Sequence, residues 1–176
     1  MIYYHKGNLE IRAMDESDAE IFYNTYLSYG WHPSLETYVN YYREQQENKR
    51  KVFIAIYEGQ VAGICTLVLN PEEGPFGNKK IPEIIDFCVF FDKHNRGIGN
   101  KLLDVVENEA SNISDVVYLG VGVHSGYGTA QRMYVKRGYI PDGSGVWYKG
   151  NQLGQYEPCC NDDDLLLFFS KILKKE

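Results

Sequence analysis

The order of elements legible in this chain is a strand, two helices, three strands, a helix, a strand, a helix and further strands, which predicts a mixed α/β sheet with helices on both faces. Three observations carry that reading. Two β-rich runs, Val52 to Tyr57 and Val61 to Leu69, are split by Glu58-Gly59-Gln60 in the manner of a hairpin. Ile81 to Phe91 is a nearly continuous apolar run, the pattern of a central strand buried on both sides. Leu102, Leu103, Val106 and Ala110 form one stripe at helical spacing over Ile98 to Ala110, the pattern of a helix packed on a sheet. The chain has 176 residues, 44% hydrophobic and 24% charged, which reads as one folded domain over 1–176 with a core that needs neither disulfides nor metal.

The elements follow in order. Leu9-Glu10-Ile11-Arg12 alternates as a short strand. Asp15 and Asp18 mark the start of a first helix carrying Ile21, Phe22 and Tyr26. After Gly30-Trp31-His32-Pro33 a second helix begins near Ser34, with Leu35, Tyr38, Val39 and Tyr42 as its face, and ends in the polar run Glu44 to Lys51. Tyrosines crowd these two helices, at 23, 26, 29, 38, 41 and 42; they suit a half-buried packing face and also the wall of a ligand pocket. Asn70 to Lys80, with Pro71, Gly74, Pro75 and Gly77, is a surface loop whose Glu72-Glu73 pair reads as solvated.

Val116 to Val123 alternates, placing Val117, Leu119, Val121 and Val123 on one side and Tyr118, Gly120 and Gly122 on the other. The glycines leave room for a packed helix or for an extended ligand. His124 to Gly128 is a flexible connection into a helix over Thr129 to Arg137, stopped by Gly138. Asp142-Gly143-Ser144-Gly145 is a turn cluster, with strand resuming at Val146-Trp147-Tyr148. Lys149 to Asp164 is polar and loop-like; its Asp162-Asp163-Asp164 reads as a solvated turn, or as the rim of a site for a cation. Leu165 to Phe169 is a last strand, and Lys171 to Glu176 a charged tail.

Chemistry concentrates around the apolar run. Glu83 and Asp86 interrupt it, and carboxylates in such a run are costly unless bonded, paired or facing a wet cleft, which makes both candidates for a shifted pKa. Strict alternation puts them on opposite faces, and a bulge between them would change that. The run is followed by Phe90-Phe91-Asp92-Lys93-His94-Asn95-Arg96-Gly97-Ile98-Gly99-Asn100-Lys101, which opens the helix. Gly97 and Gly99 permit a tight turn and close backbone approach, and the first-turn amides of the helix point at an anion with Arg96 and Lys101 beside them.

The segment His94-x-x-Gly97-x-Gly99, within its strand, loop and helix, resembles the Gln/Arg-x-x-Gly-x-Gly/Ala loop of the GNAT acetyltransferases. Ala130-x-x-x-Tyr134-x-x-x-Gly138-Tyr139 is similar to that family's second signature, with Tyr127 where an asparagine is usual and His94 where Gln or Arg is usual. The resemblance implies a mostly antiparallel sheet of six to seven strands. It also implies acetyl-CoA as co-substrate, its pyrophosphate on His94, Asn95, Arg96, Gly97, Ile98, Gly99, Asn100 and Lys101 and its pantetheine along Cys88 and Val89. Tyr134 would lie near the thioester as general acid. Counting back without gaps from the loop, Glu83 falls where the histone-acetylating branch places its base; Asp86 is the second candidate, and a water chain a third. Transfer in the family is direct, so Cys88 is read as packing.

A small cationic amine is the acceptor this reading favours, with protein amino groups and a non-catalytic acyl-CoA-binding module as alternatives. The resemblance is compatible with a homodimer. The net charge of -6 argues against a nucleic-acid partner and mildly favours a cationic one. The N-terminal residues lack a signal peptide's apolar core, and no apolar run is long enough to span a membrane. Cysteines 65, 88, 159 and 160 match no zinc spacing and read as free thiols in the cytoplasm, with no metal site. Neither Gly-x-x-x-x-Gly-Lys-Ser/Thr nor Gly-x-Gly-x-x-Gly occurs.

Overall fold

The computed structural model describes residues 1–173, so that Lys174 to Glu176 of the expected tail lie outside the described residues. It divides into two compact units, the first formed by Met1–Leu69 and Asp86–Asn108, the second by Asn70–Ile85 and the chain from Glu109 onward.

In the first unit lie β1 (Ile2–Lys6), β2 (Leu9–Ala13), α1 (Asp18–Ser28), α2 (Leu35–Gln46), β3 (Arg50–Tyr57) and β4 (Gln60–Val68). It also takes the last residues of β5 (Glu83–Val89) and most of α3 (Ile98–Ser111). Its strand order is β1-β2-β3-β4-β5, with β1 to β4 joined antiparallel. Glu58 and Gly59 both adopt positive φ, 52° and 76°, as a two-residue hairpin turn between β3 and β4 requires. Phe22 and Tyr26 of α1 pack on Val52, Ile54, Ile64 and Phe90, while Phe53, Ala55 and Cys65, which alternate with these along β3 and β4, are equally buried.

One helix expectation, the inward face of α2, needs correction, and the start of α1 is as expected. Helix α2 buries no residue fully, and the side chains it packs inward are Tyr38, Tyr41 and Tyr42, whereas Leu35 and Val39 are exposed. The inward stripe continues one turn on to Gln45, whose amide nitrogen donates to the Met14 carbonyl at 2.9 Å. Helix α1 is closed at its start by Asp18, which is 1% exposed, accepts both guanidinium arms of Arg12 at 2.6 and 2.9 Å, and accepts the Asp15 amide at 2.8 Å. The polar run after α2 is shorter than expected, because Arg50 and Lys51 already belong to β3.

The second unit holds the start of β5, then β6 (Val116–Gly122), α4 (Gly128–Lys136), β7 (Ile140–Tyr148), β8 (Asn151–Gln152) and β9 (Leu165–Ile172), in the order β5-β6-β9-β7-β8. Glu83 pairs with Tyr118 and Ile84 with Leu119 in parallel, and β6, β9, β7 and β8 are joined antiparallel. The described residues thus hold nine strands and four α-helices in a mixed, mostly antiparallel arrangement, where six to seven strands were expected. The additions include β1, a largely exposed edge strand without an apolar face, and the two-residue β8. Asp142 to Gly145 is a bulge inside β7, with a register shift between Pro141 and Val146, and the Asp142 carboxylate accepts the Ser144 amide at 3.0 Å and its hydroxyl at 2.8 Å. Lys171 and Ile172, expected in the tail, end β9. Gly138 has φ 88° just beyond α4, the left-handed cap its position predicts.

The strand expected to be buried on both sides is β5, and there the difference matters most. Ile84 alone in it is buried, and Asp86 is exposed with φ 53°. A non-glycine residue held left-handed in a strand breaks the alternation and turns the chain outward. No helix among the described residues is long and apolar enough to cross a membrane.

Candidate active site

Directly after β5 the chain makes a 3-10 turn over Phe91–Lys93, and then Asn95 and Gly97 adopt φ of 60° and 77° before α3 begins. The two glycines of the loop do different work. A side chain at Gly97 would meet nothing within 4 Å, so this glycine is required by its backbone angle and leaves open space at the start of α3. At Gly99 a Cβ would come to 3.0 Å from the Phe87 ring and 3.5 Å from Val89, so that this glycine lets the first turn of α3 close on β5. Ile98 is 1% exposed and anchors that turn.

His94 turns back on the strand, its Nε2–H donating to the Val89 carbonyl at 2.8 Å, so it braces the loop. The Arg96 guanidinium lies 5.4 Å from the centre of the Tyr57 ring. Lys101 pairs with Asp104 at 2.8 Å and lies over Tyr4. Asn95 and Asn100 are exposed on either side of the glycine pair. The amides at the start of α3 have no acceptor within the helix, which suits an anion such as a pyrophosphate.

On the same unit, Asp86 accepts a short hydrogen bond from the Tyr41 hydroxyl of α2. Burial and the Asp86 charge push the Tyr41 phenol well above its usual range, and the same two causes push Tyr38 up to about 12. Behind them Tyr26 is 6% exposed, its phenol raised by burial and by Cys88. Burial raises the Cys88 thiol, a bond from Tyr26 partly offsets this, and the Asp86 charge raises it further. Cys88 is therefore a neutral, packed thiol rather than a thiolate, and the same holds for fully buried Cys65.

The second unit contains the other carboxylate. Glu83, half-buried, accepts the Tyr118 hydroxyl at 3.0 Å, and Tyr118 is fully buried between Phe76 and Phe168, with ring centroids at 4.7 and 6.0 Å. Burial and then the Glu83 charge push the Tyr118 phenol well up. Tyr134 is 6% exposed and packs edge-on against Tyr139 at 5.7 Å, immediately before the Gly138 cap.

The glycine face of β6 is occupied from within the unit. A Cβ at Gly120 would reach 3.1 Å from Leu166 and Phe168, and one at Gly122 would overlap the Tyr127 ring at 2.3 Å. Tyr127 thus uses the room that Gly122 leaves. Its hydroxyl donates to Asp163 at 3.0 Å, and His124 contacts the same carboxylate oxygen at 3.0 Å. The stretch His124 to Gly128, expected to be a flexible connection, is a 3-10 turn in which His124 also accepts the Gly126 amide at 3.1 Å. Asp162 accepts the Tyr148 hydroxyl, so this acidic turn is bound to its own unit.

The sequence allowed Asp86 a hydrogen-bond partner, a tyrosine among the possibilities, but did not single out Tyr41, since a contact 45 residues apart leaves no local signal. Sequence reasoning missed a groove of about 710 Å3 in the first unit, lined among others by Ile21, Tyr29, Val61, Phe90, Phe91 and Lys93. Of the tyrosines considered as a pocket wall Tyr29 lines that groove, and none of the candidate catalytic or cofactor-binding residues does. Among the described residues no group of three or more His, Cys, Asp or Glu side chains is arranged to hold a metal ion.

The model of the acetyltransferase (GNAT) family matches residues 12–139, which includes the loop and both carboxylates. The chain belongs to the GNAT acetyltransferases. It is an acetyl-CoA-dependent acyltransferase by that membership. No curated protein matches the chain. Among solved structures it is similar to the acetyltransferase that modifies the N-terminal serine of ribosomal protein L7/L12 from Salmonella typhimurium, with 15% identity, a TM-score of 0.73, and 99% of this chain and 100% of that one covered. RimL, a ribosomal L7/L12 alpha-N-protein acetyltransferase in complex with coenzyme A, gives 15% identity and a TM-score of 0.73, with 98% of each chain covered. YncA from Salmonella typhimurium with its cofactor acetyl-CoA gives 18% identity and a TM-score of 0.70, covering 97% of this chain and 96% of that one. At these identities the likeness is one of fold.

Proposed function

We propose that residues 1–176 work as one catalytic domain that moves the acetyl group of acetyl-CoA directly onto a primary amine, the favoured acceptor being a small cationic amine. The observation that carries this reading is Gly97, held left-handed in open space where α3 begins. There the amides from Gly97 to Asn100 would hold the pyrophosphate, with Asn95, Arg96 and Lys101 around it and His94 bracing the loop. The pantetheine would run along Cys88 and Val89, and the Val89 amide would polarise the acetyl carbonyl as negative charge develops. An ammonium must lose a proton before it attacks; Glu83 takes it, directly or through water, and Tyr134 returns one to the departing thiolate. Cys88, neutral and packed, forms no bond to the acetyl group. The free state of the four cysteines suits a cytoplasmic site of action.

Calorimetric titration with acetyl-CoA tests the reading. Wild type is expected to bind in the micromolar range, and Gly97→Val to bind about 100-fold more weakly, because the variant combines backbone strain with a side chain in the cradle. Failure of folded wild type to bind acetyl-CoA would overturn the proposal. The fold likeness to RimL favours a second reading, a protein N-terminal amine as acceptor. Thiol release with a serine-initiated peptide, compared with small amines, separates the two.

A further inference from the structure

We infer that Asp86, framed by Tyr41 and Tyr38, is the subsite that recognises a positive charge on the acceptor, and that Tyr41 and Arg50 are the residues that position it. This rests on the acetyl-transfer reading for its biological use, but its physical basis is independent of it. Asp86 is exposed on a strand and its backbone is left-handed, at φ 53°. Among the described residues no Lys, Arg or His pairs with it, although the same unit pairs Arg12 with Asp18, Arg50 with Glu44, and Lys101 with Asp104. One partner holds its side chain, the Tyr41 hydroxyl.

Tyr41 is itself fixed. The Arg50 guanidinium stacks over its ring at 4.3 Å, and that guanidinium is held by Glu44 through Nε at 2.6 Å and by the Thr66 hydroxyl at 2.8 Å. The Arg50 charge is thereby spent on Glu44, and the charge of Asp86 is left for a ligand. Tyr38 meets Tyr41 edge-on at 6.0 Å, and Tyr26 follows Tyr38 at 6.0 Å, so a row of phenol rings leads away from the carboxylate. An exposed carboxylate with no cationic side chain paired to it, held in place by one phenol hydroxyl, is the chemistry that binds an alkylammonium by a charge-assisted hydrogen bond. Burial first, and the Asp86 charge after it, raise the phenols of Tyr38 and Tyr41.

The test uses the full chain and 1,4-diaminobutane as the probe, with uncharged 1,4-butanediol as its control. Asp86→Asn keeps a residue that tolerates left-handed backbone, and Tyr41→Phe keeps the ring under Arg50, so both variants are expected to fold. Wild type is expected to bind the diamine and not the diol. Binding should weaken about tenfold or more in Asp86→Asn and about threefold in Tyr41→Phe. At saturating acetyl-CoA the Asp86→Asn change should appear in KM for the diamine, with kcat kept within about threefold. Equal diamine affinity in wild type and folded Asp86→Asn, no diamine binding by wild type, or a collapse of kcat at unchanged KM would each overturn the inference. An acetyl-CoA titration on the same samples keeps the two readings apart, since loss of cofactor binding would sink acetyl transfer while the diamine affinities still decide the subsite.

Discussion

Glu83 and Asp86 are three residues apart on one strand, both accept a tyrosine hydroxyl, and their surroundings are otherwise opposite. Glu83 lies where β5 pairs regularly with β6, half-buried, against a Tyr118 that is locked between two phenylalanines. Asp86 lies where the strand turns left-handed, exposed, against a Tyr41 held by Arg50. A half-buried carboxylate hydrogen-bonded to a fixed phenol suits the proposed proton acceptor. An exposed carboxylate without a cationic side chain beside it among the described residues suits the proposed contact with a cation. The two roles proposed for these carboxylates thus rest on different surroundings, a regular strand pairing at Glu83 and a left-handed backbone at Asp86.

The largest effect expected from this contrast is in Glu83→Gln, which should lower kcat about 10²- to 10⁴-fold with KM for the amine nearly unchanged, as measured by thiol release. Tyr134→Phe should follow with a smaller loss of kcat, about tenfold or more, read by the same assay. Asp18→Ala, a residue with neither role, should spare activity per folded molecule and cost about 2 kcal/mol of stability in urea unfolding, because it removes the two bonds to Arg12 and leaves that guanidinium Asp15 and the Ala13 carbonyl.

Tyr118→Phe sharpens the comparison from the other side. The Tyr118 hydroxyl donates to Glu83 and so favours the charged carboxylate. Its loss should move the acid limb of the pH profile of kcat; an unmoved limb would separate Glu83 from proton transfer. The smallest effect is in the exposed turn. The Asp163 carboxyl is held below its usual range by His124 and Tyr127, so its contribution is present above the unfolded pKa near 4 and fades as pH falls through the lowered folded value. Solvent screening limits it, and Asp163→Asn should change stability by less than about 0.5 kcal/mol at pH 7.

Much of this was legible in the sequence, and the reasons are particular. The hairpin at Glu58-Gly59, the stripe of α3 and the cap at Gly138 follow from local chemistry, since turn residues and helical spacing act over a few residues. The glycine pair was legible as a pair, but only the fold separates Gly97, needed for its angle, from Gly99, needed for packing on Phe87. The inward turn of α2 was misjudged because tyrosines and aliphatics compete for one face, and the rings won at Tyr38, Tyr41 and Tyr42. Asp86 was marked as a costly acid in an apolar run, and the structure exposes it through a left-handed backbone and bonds it to Tyr41, a partner distant in sequence.

The division of labour between the two carboxylates is tested most directly by the pH dependence of kcat in Glu83→Gln and Asp86→Asn, measured side by side at saturating acetyl-CoA and diamine. The acid limb should vanish in Glu83→Gln and persist in Asp86→Asn. A limb that vanishes in Asp86→Asn and persists in Glu83→Gln would reverse the two roles and contradict the account.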